Sequence, residues 1–456
     1  MMCKLVTMLV FRACLGYNTK QSNGIPDMEV YMGILIKAVR CIGELDGIHD
    51  VYVHGNKIAG IDEAPDGFIM TNTIDGKNKL LLPGLINCHT HTYMSLFRNA
   101  ADDLSFLDWL FGHIDPLEGK MEPEDAYWGS MLSIVEMIKS GTTCFCDMHM
   151  HPEQTVRAVD VSGLRAVITR GLVGGDREDE GGIRRLNEAK DELIHWREHP
   201  RLSFRLGPHA PYTCGEDYLK YVKEQSEELG IGLNIHLAES KKEFDDMMAA
   251  RGCTPVEYLN RLGLLKPSTI CAHCVQLTEN DMDILAERGV SVAINPASNM
   301  KLGNGFAPVP KMLEHGVNVC LGTDGAASNN AQNLFREMNL AALVYKGASM
   351  EAQAVSSEDV LAFATKNAAK ALGFEGMLGE IKVGYIADLI VVDMNRESFQ
   401  PMNHPASAIA YSANGSEVDT VIVNGKILME KRVLKTIAEE NVYYAVNRIA
   451  KRLGIQ

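Results

Sequence analysis

Leu80-Leu81-Leu82-Pro83-Gly84-Leu85-Ile86-Asn87-Cys88-His89-Thr90-His91 is an apolar run of strand length that closes on two histidines. Residues two apart on a strand point to the same side, so His89 and His91 share a face. The run therefore predicts a buried strand that carries chemistry at its C-terminal end. Further along, the same pattern recurs as brief apolar, often β-branched stretches: Thr142–Met148, Arg165–Leu172, Leu202–His209, Ile231–Glu239, Thr269–Val275, Val290–Pro296 and Val317–Asp324. Amphipathic helical patterns lie between them, as in Glu124–Lys139, Glu216–Leu229 and Thr278–Arg288. Strand-helix alternation implies a parallel sheet with right-handed crossovers. Eight such units over ~250 residues predict an α/β fold of the (β/α)₈ TIM-barrel type rather than an open doubly wound sheet. No glycine-rich phosphate loop follows the first strand, which removes the main support for a dinucleotide fold.

Outward from this middle, both ends are β-rich. Gly33–Arg40, Gly47–Val53 and Lys57–Ile61 precede it, while Gly384–Asp393 and Val418–Asn424 follow it, the last leading into a Gly425-Lys426 turn. This predicts a small β-sandwich domain built from both chain ends, residues 32–79 and 376–435. It flanks a barrel over 80–375, and a helix over 436–456 packs outside. Residues 1–31 read as a disordered or non-native extension, with Met28 or Met32 nearer the true beginning, because the apolar run from Leu5 is short and Arg12 interrupts it.

A net charge of −15 argues against nucleic acid or an anionic membrane as partner, since both would be repelled. No stretch approaches the ~20 apolar residues of a membrane span. Eleven scattered cysteines, mostly in apolar runs, predict reduced buried thiols in a cytoplasmic protein. Cys271 and Cys274 form a CxxC, but strand geometry would send them to opposite faces, against a redox role.

In a barrel of this type chemistry sits at the C-terminal ends of the strands. His89, His91, His209, His236 and His273, five of the fourteen histidines, fall there, together with Glu239 and Asp324. Three imidazoles from His89, His91 and His236 and the Asp324 carboxylate make a donor set suited to Zn²⁺, with Fe²⁺ as second choice. A second HxH, His149 and His151, could line the mouth, but no third ligand accompanies it, and surface or loop polarity is the favoured reading.

These residues resemble a known family. Leu82 to His91 is similar to the PGxxxxHxH strand of the amidohydrolase superfamily. The His236–Glu239 run, His273, the Asn295-Pro296-Ala297-Ser298-Asn299 turn, Gly322–Gly325 and Gly379–Asp393 resemble its cytosine-deaminase and chlorohydrolase branch, and within it the methylthioadenosine/S-adenosylhomocysteine deaminases. The resemblance implies that His89, His91, His236 and Asp324 hold the metal. It also implies that Glu239 passes a proton to a purine ring nitrogen, that His273 orients the attacking water, and that Asp324 takes that water's proton. Glu118 matches a glutamate that meets ribose hydroxyls, while Arg170 and Arg184 or Arg185 match arginines that meet an amino-acid carboxylate. His209 and Ser328 match positions near sugar and base. Many relatives carry histidine where this chain has Ile294, and the strand-four end has His209 and no lysine, against a carbamylated two-metal version.

The expected activity is hydrolysis of a C–N bond in a cyclic amidine, the 6-amino group of an adenosine-type nucleoside, in a homo-oligomer by family analogy. The alternatives are a free-base (guanine or 8-oxoguanine) deaminase or triazine-type hydrolase on the same barrel, and a non-catalytic assembly protein. Glu118→Ala separates the nucleoside and free-base readings, since a free base has no sugar to hold.

Overall fold

The computed structural model describes residues 31–455, so the extension expected at the start lies, but for Tyr31, outside the described residues. Eight parallel strands pair strictly in chain order: Leu85–Thr90, Thr142–His149, Arg165–Leu172, Leu202–Pro208, Leu233–Leu237, Thr269–His273, Ser291–Ile294 and Asn318–Leu321. The last comes back to the first at the C-terminal end, where the N–H groups of Thr323 and Asp324 donate to His89 O at 3.0 and 2.9 Å. The Asn87 amide holds the same junction through Thr323 Oγ1 and the Thr323 N–H. Helices between the strands cover the outside, and the expected barrel stands.

The opening run is two strands, not one. Lys79–Pro83 pairs antiparallel with Leu389–Asp393 in the end sheet, and only Leu85–Thr90 enters the barrel. The break falls at Gly84, whose N–H donates to Asp388 O, and a Cβ there would lie 2.1 Å from Thr143 Oγ1. Only glycine lets the chain pass so close to the neighbouring strand.

Strands from both chain ends do assemble together, and their hydrogen bonding runs through one nine-stranded sheet rather than two separate sheets. In Tyr31–Cys41 the buried positions run Ile34, Ile36, then Val39 and Cys41. The three-residue step coincides with a bulge between Ile36 and Val39, with Ala38 at φ 51°, which keeps one face inward despite the extra residue. The sheet also holds Phe68–Asp75, parallel to Tyr31–Cys41, which the sequence pattern did not announce.

The end sheet is pinned to the floor of the barrel by a buried ion pair. Arg165 Nε and Nη2 donate to Asp388 Oδ2 and Oδ1 at 2.8 and 3.2 Å, with both side chains under 5% exposed. Inside the barrel, Ile86, Cys88, Cys144, Cys146, Val167, Ile270, Ala293 and Cys320 form an apolar plug, closed below by the helix Lys366–Leu372. Two polar side chains lie against this plug: Asn234, whose Nδ2 donates to Cys146 Sγ, and Arg205, whose Nη2 donates to Ala371 O. All nine described cysteines are buried and free. The expectation for the CxxC is corrected in one respect. The chain leaves its strand at His273 and Cys274 with φ of 74° and 48°, so Cys274 lies beside Cys271 rather than across the sheet from it.

Candidate active site

At the barrel mouth a cavity of about 580 Å³ is lined by His91, His209, His236, His273, Glu239 and Asp324 on its floor. Glu118, Arg170, Arg184 and Arg185 lie on its wall. Four non-glycine residues with positive φ stand at the strand ends that feed it: Ala238 (49°), His273 (74°), Cys274 (48°) and Asp324 (60°). Such backbone costs free energy and persists where the surroundings hold it.

The histidine tautomers follow from their partners. His91 Nδ1 lies 2.8 Å from Met148 O and His236 Nδ1 lies 2.8 Å from His209 O. A carbonyl can only accept, so both protons sit on Nδ1 and both Nε2 atoms are bare. Those two Nε2 atoms face one another at 3.2 Å. Both nitrogens of His89, which is fully buried beneath, have no hydrogen-bond partner among the described residues. Burial pushes His89 down to about 4 and His236 well below the ordinary histidine range, so both are neutral near pH 7.

Asp324 completes the group. Burial alone would raise its pKa, but the surrounding histidines hold the carboxyl well below the usual range. Its Oδ2 accepts from Ser298 Oγ at 2.6 Å and Ser328 Oγ at 2.7 Å. Its Oδ1 lies 3.3 Å from His91 Nε2 and 3.6 Å from His89 Nε2. Facing lone pairs in a dry pocket beside an ionised carboxylate are repulsive unless a cation lies among them. Ligand atoms of His89, His91 and His236, and of His89, His273 and Asp324, come within 4.8 Å of one another. The donor set fits a divalent metal.

Glu239 stands beside this group, its Oε2 3.8 Å from His273 Nε2. Burial, then the Asp324 charge, pushes its carboxyl well above the ordinary range, which favours its protonated form. Asn304 Nδ2 donates to its Oε1 at 3.1 Å, and Glu243 accepts the N–H groups of Ala238 and Glu239. His273 Nδ1 lies 2.8 Å from Asn299 Oδ1, which turns Nε2 toward the cavity.

On the wall, Glu118 accepts from Tyr93 Oη at 2.5 Å, and burial pushes it up to about 7. Arg170 Nε donates to Glu188 Oε2 at 2.9 Å, and Arg184 Nε lies 3.6 Å from the other Glu188 oxygen. Arg185 Nη1 donates to Val173 O. His209 Nδ1 is 3.0 Å from Thr213 Oγ1, and burial pulls it down to about 4.

Two expectations change. Ser328 is fully buried behind Asp324 and off the cavity wall, so it orients a carboxylate rather than meeting sugar or base. His149, expected at the surface, is 1% exposed and lines the cavity, because its strand runs one residue beyond the expected end. Sequence reasoning also passed over Tyr93, Glu243 and Asn304. Ser298 and Asn299 lay inside a turn it had singled out, and that motif was the available signal.

Fold and site together define a metal-dependent hydrolase on a (β/α)₈ barrel. The amidohydrolase family profile matches residues 80–428, and the chain belongs to that family. It is 44% identical over 429 residues to the 5-methylthioadenosine/S-adenosylhomocysteine deaminase of Caldanaerobacter subterraneus subsp. tengcongensis, covering 92% of this chain and 99% of the relative. It is 46% identical over 382 residues to the protein of the same name from Dictyoglomus thermophilum, covering 83% and 89%. Among solved structures, an adenosine deaminase from Xanthomonas campestris with bound zinc superposes with a TM-score of 0.89 at 32% identity, covering 93% of this chain and 99% of that one. An atrazine chlorohydrolase from Arthrobacter aurescens (TM-score 0.85, 23% identity, 91% and 100% covered) shares the fold.

Proposed function

We propose that this amidohydrolase removes the 6-amino group of an adenosine thioether, S-adenosylhomocysteine or methylthioadenosine, with adenosine as a further substrate, releasing ammonia and the inosine form. The observation that carries the reading is the pairing of chemistry across one cavity. A buried carboxyl raised well above its ordinary range and a floor of metal-type donors share the cavity with Glu118 and three arginines on its wall.

His89, His91, His236 and Asp324 would hold a divalent cation, zinc by preference and Fe²⁺ as second choice, which would supply a water acidic enough to ionise at about pH 7. The remaining work falls to side chains. Glu239 donates its proton to the purine ring nitrogen, which makes C6 electrophilic. Through Nε2, His273 orients the attacking water, and Asp324 Oδ1 takes the proton that water gives up. Addition at C6 gives a tetrahedral carbon. Asp324 passes the proton it took to the amino nitrogen, and ammonia leaves. The new hydroxyl gives its proton to Glu239 as the C6 carbonyl forms. At the far end Glu118 accepts from the ribose hydroxyls, and Arg170, with Arg184 or Arg185, meets the homocysteine carboxylate. His209 stands at the sugar and base.

The test is zinc-loaded protein with S-adenosylhomocysteine, methylthioadenosine, adenosine and guanine, following ammonia release and loss of adenine absorbance. Turnover of the thioethers is expected to lead. Turnover of guanine alone, or of nothing, overturns the substrate assignment.

A further inference from the structure

The segment Thr92–Phe97 leaves the His89-Thr90-His91 strand end directly and carries Tyr93. Tyr93 is 4% exposed, and its ring is held edge-on between Phe97, at 6.4 Å between centroids and 90°, and His149, at 4.4 Å and 63°. His149 is itself fixed, since its Nδ1 accepts the His151 N–H at 2.7 Å. With the ring clamped on two sides, the direction of its hydroxyl is set. That hydroxyl donates to Glu118 Oε1 at 2.5 Å. Glu118 belongs to the four-residue helix Asp115–Glu118, in the excursion between the first and second barrel strands. The Tyr93 bond ties its carboxylate to the segment that leaves the first barrel strand.

The geometry points to Tyr93, backed by His149, as the positioning residue for sugar recognition. It spans from the metal-binding strand to the ribose acceptor and fixes the distance between the reacting and recognising ends of the cavity. A carboxylate has about four lone-pair sites; Tyr93 occupies one on Oε1 and leaves Oε2 and the remainder for a vicinal diol. The inference rests on the nucleoside reading above, and it assigns Tyr93 and His149 roles in specificity that need no contact with substrate.

The test is Y93F, which removes one oxygen and keeps the clamped ring, assayed with adenosine and with 2′,3′-dideoxyadenosine beside the wild-type holoenzyme. A thermal melt of each protein reports folding. Losing a hydrogen bond to a charged acceptor is expected to raise KM for adenosine about 10-fold or more. The change in kcat should be smaller, and the dideoxy substrate should respond little, so the wild-type preference for the ribose form narrows. Equal losses on both substrates, or an unchanged preference in a folded variant, overturn the role of Tyr93. If wild type accepts neither substrate, or guanine alone, the nucleoside reading has failed instead, and the Tyr93 assignment falls with it. An H149F variant that narrows the preference in the same direction supports the buttress. An unchanged preference in that variant removes His149 from it.

Discussion

Glu239 and Glu118 are both carboxyls raised by burial, yet the proposed mechanism needs them in opposite states. In that mechanism Glu239 gives a proton to the ring, and burial, then the Asp324 charge, favours the protonated form. Replacement by glutamine keeps the shape and removes the acid, so E239Q is expected to lose ~10²–10⁴-fold in kcat with metal content unchanged, read by ammonia release and metal analysis. Glu118 must be ionised to accept two hydroxyls. Its pKa of about 7 means the neutral form prevails below that value, so kcat/KM for a ribonucleoside should fall as pH drops through about 7. Bound hydroxyls favour the charged form, which moves the limb for kcat to lower pH. A pH profile with 2′,3′-dideoxyadenosine should lack this limb, and a limb identical for both substrates would assign it to another group. The clustering of His89, His91 and His236 was legible because HxH and HxxE at strand ends have few other uses. Ser328 was not, because sequence cannot tell a hydroxyl that meets substrate from one that turns Asp324 toward the metal. His149 was hidden for a related reason: one residue of extra strand decides whether it faces water or the cavity.

The barrel strands were readable as elements because apolar, β-branched runs bounded by helical periodicity leave little choice. What was not readable is where one element stops. Leu80–His91 is continuous in hydrophobicity, and its division at Gly84 is imposed by Thr143 on another strand and by Asp388 in the end sheet. Likewise Phe68–Asp75 is almost wholly exposed and shows no alternation, so its pairing with Tyr31–Cys41 came from tertiary contact alone. The joint between end sheet and barrel rests on Arg165 and Asp388. Removing one partner of a buried pair leaves the other charge uncompensated, so Asp388→Ala should destabilise the protein by about 3–5 kcal/mol. Chemical denaturation measures this directly, and a loss under 1 kcal/mol would show that the joint is held by the surrounding apolar packing instead.

Across the whole molecule, architecture divides the labour. The floor of the barrel is filled by small apolar side chains and cysteines, and the closing junction at His89, Thr323 and Asp324 brings the first and last strands together at the metal site. Arg170 at its strand end, and Glu118, Arg184 and Arg185 on helices that follow the strands, then stand around one cavity. Among the described residues no helix is long and apolar enough to cross a membrane. The account's central claim is that bare nitrogens of His89, His91 and His236, with Asp324, hold one divalent ion on which hydrolysis depends. The most direct measurement is a zinc titration of chelator-treated protein during turnover of S-adenosylhomocysteine, with ammonia release as the signal. Activity should be absent at the start and should rise to a plateau at about one equivalent of zinc per chain. Full activity in the chelator-treated protein, or protein that takes up zinc at the site without gaining turnover of any substrate in the panel, would contradict it.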